Sequence, residues 1–271
     1  WNADVAHVHA EFFETVEHAN IFDSYEIKDH NLYDTVAKKI FATPDTVAIL
    51  TTSSGSTGTP KIIPKSHEFY YVSSERQVRL LSYDTDDRVV HTRQISHGGA
   101  FDIFWLPTLM ACATHMVHVY EDNSIEAVQK LCKDIIDYKI TRFWAIDTTI
   151  IDYVLKTLPR LEHDFNMFHI NYIQPHWPKL AKEKNLKSFI NSYGTIEIGS
   201  SVLLNVLDRD TDLSTYKSNR FKMLDDWYKF TCNEYDCTIT NTYTGETMTF
   251  NDQWVPDSDG YLFCLLYTSD A

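Results

Sequence analysis

Glycine is scarce in this chain, eight residues in 271, and positive charge is outnumbered, with 24 Lys and Arg against 38 Asp and Glu. The resulting formal charge of −14 excludes diffuse attraction to nucleic acid or to an anionic membrane surface. An anionic ligand would need a local site that overrides this field. Long apolar runs are also missing. The most apolar stretch, Ile103 to Val119, is interrupted by Pro107, His115 and His118, and reads as a buried helix and then a strand, not a membrane span. The five cysteines, Cys112, Cys132, Cys232, Cys237 and Cys264, are odd in number and lack framework spacing, which fits free thiols in a reducing, cytoplasmic compartment. Cys232 and Cys237 have no second Cys/His pair at zinc spacing, so they read as plain thiols. For the same reason a metal or redox protein built on the 12 His and 5 Cys lacks a supporting cluster. No signal peptide is visible.

What is present is ample material for a core. A hydrophobic share of 44% excludes a disordered chain, and the length allows one large α/β domain or two smaller ones. From 47 to 192 short apolar runs alternate with helical patterns. VAIL (Val47–Leu50) reads as a buried strand. Ser66 is placed to cap a helix reaching about Ser82, with Phe69, Val72, Val78 and Leu81 at helical spacing. Further strands are expected at Asp87–His91, Thr114–Tyr120, Arg142–Ile146, Phe168–Ile173 and Ser188–Asn191. Helices are expected at Gly99–Ala111 (broken near Pro107), from Ser124, at Thr148–Leu158 and at Pro175–Lys184. This alternation predicts a mainly parallel sheet flanked by helices. After about Gly199 helical periodicity fades, and Cys237–Phe250 reads as a hairpin turning at Thr244–Gly245. The expected division is an α/β nucleotide- and substrate-binding core over 1–199 and a β-rich subdomain over 200–271.

Two of the few glycines, Gly55 and Gly58, stand three apart inside LTTSSGSTGTPKIIPKSH. Such a small, hydroxyl-rich stretch cannot bury a core; it is suited to wrapping backbone N–H groups and hydroxyls around an anion. The spacing is not that of a Walker A loop, because Pro60, Lys61 and Ile62 stand where Gly, Lys and Ser or Thr belong. It is not a dinucleotide fingerprint either, since no helix can start within TPKIIPK.

Ser53, Ser54, Gly55, Ser56, Thr57, Gly58, Thr59, Pro60 and Lys61 together resemble, without a gap, the signature loop of the AMP-forming adenylate enzymes. That superfamily comprises acyl- and aryl-coenzyme A synthetases, luciferases and peptide-synthetase adenylation domains. The resemblance implies that the loop holds the phosphates of ATP, with Lys61 supplying positive charge. A flexible surface loop is the plain alternative, against which nine consecutive matches weigh. Tyr193, Gly194, Thr195, Ile196 and Glu197 resemble the family's later Y-G-x-T-E element. Tyr193 would stack on adenine, and Glu197, with Ser56, would hold Mg²⁺. The departure is Ile196, where the family has a Thr that contacts the α-phosphate. Asp259-Gly260-Tyr261-Leu262 is similar to a third element, and Asp252 upstream of it would accept the ribose hydroxyls. His97, in QISHGGAF, is similar to a His that borders the carboxylate site, although a His beside glycines is also an ordinary turn residue. Counting back from the turn at Ala111–Thr114 puts the amine-binding Asp of amino-acid-activating relatives near Gly99, so Asp102 is not read as amine-binding.

The matches run from Ser53 to Leu262. The family's glycine-rich adenine turn has no counterpart in NYIQPHW (Asn171–Trp177), and its G-E-L segment is not recognisable, so a variant adenine pocket is implied. The first residue is Trp1, and the family's lid domain with its catalytic lysine would follow Phe263. The chain therefore reads as a fragment of the large domain, with the residues after Phe263 suspected to be foreign. The activity implied is ATP-dependent activation of a small carboxylic acid to an acyl-adenylate. Lys61, Glu197 and His97 would act in it, and coenzyme A or a carrier protein's phosphopantetheine would accept the acyl group. The alternative is a catalytically degenerate nucleotide-binding relative.

Overall fold

The structure, a computed structural model, describes residues 43–53, 61–93, 98–116, 124–170, 173–195, 199–232, 237–250 and 254–264. Val47–Ala271 forms one compact unit. Its centre is a six-stranded sheet in the order β4-β3-β5-β6-β7-β8, formed by β3 (Arg88–His91), β4 (Thr114–Met116), β5 (Arg142–Trp144), β6 (Asn166–His169), β7 (Ser188–Thr195) and β8 (Gly199–Asp208). The first five strands run parallel, and β8 closes the edge antiparallel to β7. The expected parallel α/β core is therefore present, and β8, at the start of the presumed β-rich region, belongs to the main sheet by its pairing.

The strands explain their own burial. Neighbouring residues point to opposite faces, so Val89 and Val90, Phe143 and Trp144, Met167 and Phe168, and Phe189 and Ile190 are divided between two cores. Three helices cover one face: α4 (Ile125–Asp137), α5 (Thr148–Thr157) and α6 (Trp177–Glu183), through residues such as Leu131, Ile151 and Trp177. The other face receives Ala100, Ile103 and Phe104 from the irregular helix between β3 and β4. Ser66, Ser124 and Asp147 accept from the N–H of Phe69, Ala127 and Thr149 at 3.1, 3.2 and 2.8 Å, the capping bonds that start α1 (His67–Leu80), α4 and α5.

The irregular helix has a local cause. It runs from α2 (Gly98–Ala100) through a π-helical turn, Phe101–Trp105, into α3 (Leu106–Met110). Pro107 has no N–H to give the carbonyl of Ile103 four residues earlier. The Tyr83 hydroxyl donates to that carbonyl instead, at 3.4 Å. The break expected at Pro107 is thus taken up one turn earlier.

VAIL departs from its expected place. Strand β1 (Val47–Ser53) pairs only with β2 (Lys61–Ser66), antiparallel, in a two-stranded sheet separate from the main one. It is not buried either, since Val47 and Leu50 are 51% and 45% exposed. A short apolar run does not specify its partner, and here the partner is KIIPKS, whose proline and two lysines mask a strand. Beyond β8 the chain forms two small antiparallel sheets, β10-β11-β12 and β13-β14-β9, from β9 (Arg220–Phe221), β10 (Tyr228–Cys232), β11 (Cys237–Asn241), β12 (Thr247–Phe250), β13 (Trp254–Pro256) and β14 (Leu262–Cys264). The β11–β12 pair is the hairpin expected around Gly245. Phe221, Ile239, Trp254 and Leu262 build a third core beneath β8.

Among the described residues no helix is long and apolar enough to cross a membrane.

Candidate nucleotide site

The first and last members of the nine-residue motif, Ser53 and Lys61, are cross-strand partners where β1 ends and β2 begins. Strand β2 then runs straight into α1 through the cap Ser66. Thr51 donates through its hydroxyl to the Ile63 carbonyl at 3.2 Å, which ties the strands together near the loop.

Three contacts show what surrounds this hairpin. A Cβ built on Gly98 would meet Thr51 Cγ2 at 3.9 Å, so the segment just after His97 packs beside β1. One built on Gly199 would lie 3.5 Å from the ring of Phe69, in the first turn of α1, so the start of β8 packs beside the helix that follows the loop. Tyr193, near the end of β7, meets Trp254 edge to face, with centroids 4.9 Å apart. Each contact joins two described segments: β1 with Gly98, the first turn of α1 with the start of β8, and the end of β7 with Trp254. Thr195 pairs with Gly199 across the β7–β8 turn.

The central sheet has a switch in its strand order. Its order reverses direction at β3, which has β4 on one side and β5 on the other, and the carboxyl ends of strands flanking such a reversal are where open α/β sheets hold ligands. His91 and Trp144 end β3 and β5 as register partners. The polypeptide leaving β3 leads to His97.

Ser54, Gly55, Ser56, Thr57, Gly58, Thr59, His97, Ile196, Glu197 and Asp252 lie outside the described residues, and Ser53, Lys61 and Thr195 are described through their backbone pairing alone. Among the described residues no group of three or more His, Cys, Asp or Glu is placed to hold a metal ion.

The surroundings contain polar groups that periodicity did not single out. Helix α1 buries Tyr70, Ser73, Ser74, Arg76 and Gln77, whereas of the expected apolar stripe only Leu81, at its C-cap, is buried and Phe69, Val72 and Val78 are not. Lys65, only 3% exposed, carries its ammonium 3.9 Å over the Phe69 ring. Burial pushes the Asp102 carboxyl up to about 7, with Lys65 pulling it back. Asp102 Oδ1 and the Tyr70 hydroxyl are both buried with no hydrogen-bond partner. At the end of β3 the rings of His91 and His115 stack at 4.9 Å. Burial, and then His91, hold His115 down to about 4.

An open α/β sheet whose order reverses at β3 is the architecture that holds ligands at the carboxyl ends of its strands. The family model described as AMP-binding enzyme matches residues 4–225, and the chain belongs to that family. Over 88 residues it is 35% identical to enterobactin synthase component E of Escherichia coli strain K12, an alignment covering 28% of this chain and 16% of that protein. Over 70 residues it is 34% identical to the vibriobactin-specific 2,3-dihydroxybenzoate-AMP ligase of Vibrio cholerae, covering 24% and 13%. The solved O-succinylbenzoate coenzyme A synthetase of Bacillus subtilis, in complex with ATP and magnesium, superposes with a TM-score of 0.66 at 17% identity. That likeness covers 83% of this chain and 50% of that one, and shows the shared fold.

Proposed function

We propose that the protein activates a carboxylic acid with ATP. A carboxylate oxygen attacks the α-phosphorus, the bond to the bridging oxygen breaks, and pyrophosphate leaves, giving an acyl-adenylate. The contact of Tyr193 with Trp254 supports this reading, because Tyr193 is the proposed adenine-stacking residue and Trp254 stands two positions after Asp252, the proposed ribose ligand, in the sequence. The loop from Ser53 to Lys61 would hold the phosphates through N–H groups, hydroxyls and one ammonium. Gly194, Thr195 and Ile196 would line the α-phosphate, and His97 would border the carboxylate. Glu197 and Ser56 offer hard oxygen donors that fit Mg²⁺, which when bound neutralises phosphate charge.

Coenzyme A or a carrier-bound phosphopantetheine is the proposed acceptor, since an acyl-adenylate is readily attacked by a thiol. A reducing, cytoplasmic setting is proposed on the free thiols of Cys112, Cys132 and Cys237. We also infer a working division into residues 1–199, which carry the loop, and 200–271, whose short sheets carry Asp252.

Ile196 in place of the family's Thr favours a second reading, a nucleotide binder without turnover. Pyrophosphate exchange against a panel of aliphatic and aromatic acids separates the two. Acid-dependent exchange supports adenylation. Nucleotide binding with no exchange for any acid leaves the binder.

A further inference from the structure

Arg76 lies in the middle of α1, 2% exposed, on the face that packs toward β8. Its guanidinium is fully engaged in one direction. Nε and Nη2 donate to Asp225 Oδ2 and Oδ1 at 2.8 and 3.1 Å, and Nη1 donates to the Ser201 carbonyl at 3.1 Å. Its flat face lies 4.8 Å over the ring of Tyr228. A solubilising surface arginine has no reason to be so enclosed.

What it grips is strained backbone. Ser201 sits at φ +55°, a left-handed conformation uncommon for a residue with a side chain, and its buried hydroxyl has no partner to stabilise it there. Two residues earlier Gly199 has φ +124°, and a Cβ on it would lie 2.8 Å from the Tyr228 hydroxyl and 3.5 Å from the Phe69 ring. No side chain fits between them. Two unusual conformations within three residues persist only where neighbours over-determine them. The neighbours are Phe69 and Arg76 from α1 and Tyr228, which stacks on Arg76.

We infer that Arg76 is a positioning residue of the nucleotide site: with Asp225 and Tyr228 it clamps the base of the β7–β8 turn against the helix that follows the phosphate loop. The inference rests on the nucleotide-site reading above. Gly199 is the register partner of Thr195, so holding Gly199–Ser201 also sets the end of β7, which carries Tyr193 and Thr195. α1 begins directly at β2, whose first residue is Lys61. The clamp therefore fixes two binding elements relative to each other, although Arg76 itself touches no ligand. The bidentate fork is what lets one side chain bind a carboxylate and a carbonyl at once.

The test uses the 271-residue chain. Because Arg76→Leu alone strands the Asp225 carboxylate and invites unfolding, the main variant is Arg76→Leu/Asp225→Leu, with Tyr228→Phe and Arg76→Lys beside it. Each is followed by thermal unfolding, by amide exchange along β8 and by calorimetric titration with Mg-ATP. The double variant is expected to stay folded, to exchange the amides of 199–202 at least tenfold faster with the rest of β8 unchanged, and to bind Mg-ATP about tenfold more weakly. Arg76→Lys, which keeps charge without the fork, is expected to fall between. A folded double variant with wild-type exchange at 199–202 overturns the clamp whether or not nucleotide binds. Local loosening with wild-type Mg-ATP affinity overturns the positioning role. If wild type binds no Mg-ATP while 199–202 loosen as expected, the nucleotide-site reading fails and the clamp stands as a structural device.

Discussion

Tyr193 and Trp254 meet edge to face, 4.9 Å between centroids at 70°, and join the main sheet to the small sheets beyond it. Trp254 belongs to the core beneath β8, and Tyr193 packs against that core from its edge. The pair orients the tyrosine ring from behind. Trp254→Leu keeps apolar bulk but removes the aromatic partner, which is worth about 1 kcal/mol beyond burial. The variant is expected to lose about 2–4 kcal/mol of stability through the cavity it leaves and to bind AMP several-fold more weakly. Urea unfolding and calorimetry with AMP check both halves; undiminished AMP affinity would show that Tyr193 does not need this support.

Asp102 makes stability depend on pH in an unusual direction. Its folded carboxyl titrates at about 7 against an ordinary 3.8, because burial disfavours the charge. A raised carboxyl supports folding below about pH 4 and withdraws that support as pH rises to 7. Asp102→Asn removes the dependence, so its stability relative to wild type should grow across that window by about 1.4 kcal/mol per pH unit at most. Urea midpoints at pH 4.5, 6 and 7.5 measure it.

His115 acts oppositely. Burial and its neighbour His91 lower it to about 4, and a depressed base favours folding above its ordinary 6.5 and loses that contribution as pH falls through 4. His115→Phe keeps a ring against His91 and Trp105. It is expected to flatten the acid limb of the stability profile between pH 6.5 and 4. A variant whose acid limb matches wild type would contradict this.

A purely structural ion pair provides the contrast. Arg142 donates through Nε to Asp87 Oδ2 at 2.6 Å and through Nη1 to the Leu81 carbonyl at 2.8 Å, at the amino ends of β3 and β5. Arg142→Met strands a buried carboxylate, and the expected cost is about 3–5 kcal/mol. Because this end of the sheet faces away from the site, the Kd for Mg-ATP in the folded fraction should stay within twofold of wild type.

The parallel sheet was legible because its strands alternate with helices whose caps, Ser66, Ser124 and Asp147, are ordinary ones. Strand β2 was not, because KIIPKS carries the proline and lysines of a loop and becomes a strand through β1. In α1 the apolar spacing pointed to Phe69, Val72, Val78 and Leu81, of which only Leu81 is buried, while packing also buried Arg76 and Gln77. Periodicity counts hydrophobicity and cannot see a carboxylate arriving from position 225. The motif at 53–61 stood out by composition and order, but nothing in it announced that Ser53 and Lys61 pair across an antiparallel ladder. Trp254 carried no signal in sequence, since its role comes from packing against Tyr193.

The central claim is that residues 53–61, 193–197 and 252 serve one Mg-ATP site. Calorimetric titration of the folded chain with Mg-ATP, beside Lys61→Ala, Glu197→Gln and Asp252→Ala, tests it most directly. The account predicts saturable one-to-one binding by wild type, at least tenfold weaker in each variant, with Glu197→Gln alone losing its response to added Mg²⁺. Wild-type affinity in any two of the folded variants, or no binding by the folded chain, would contradict it.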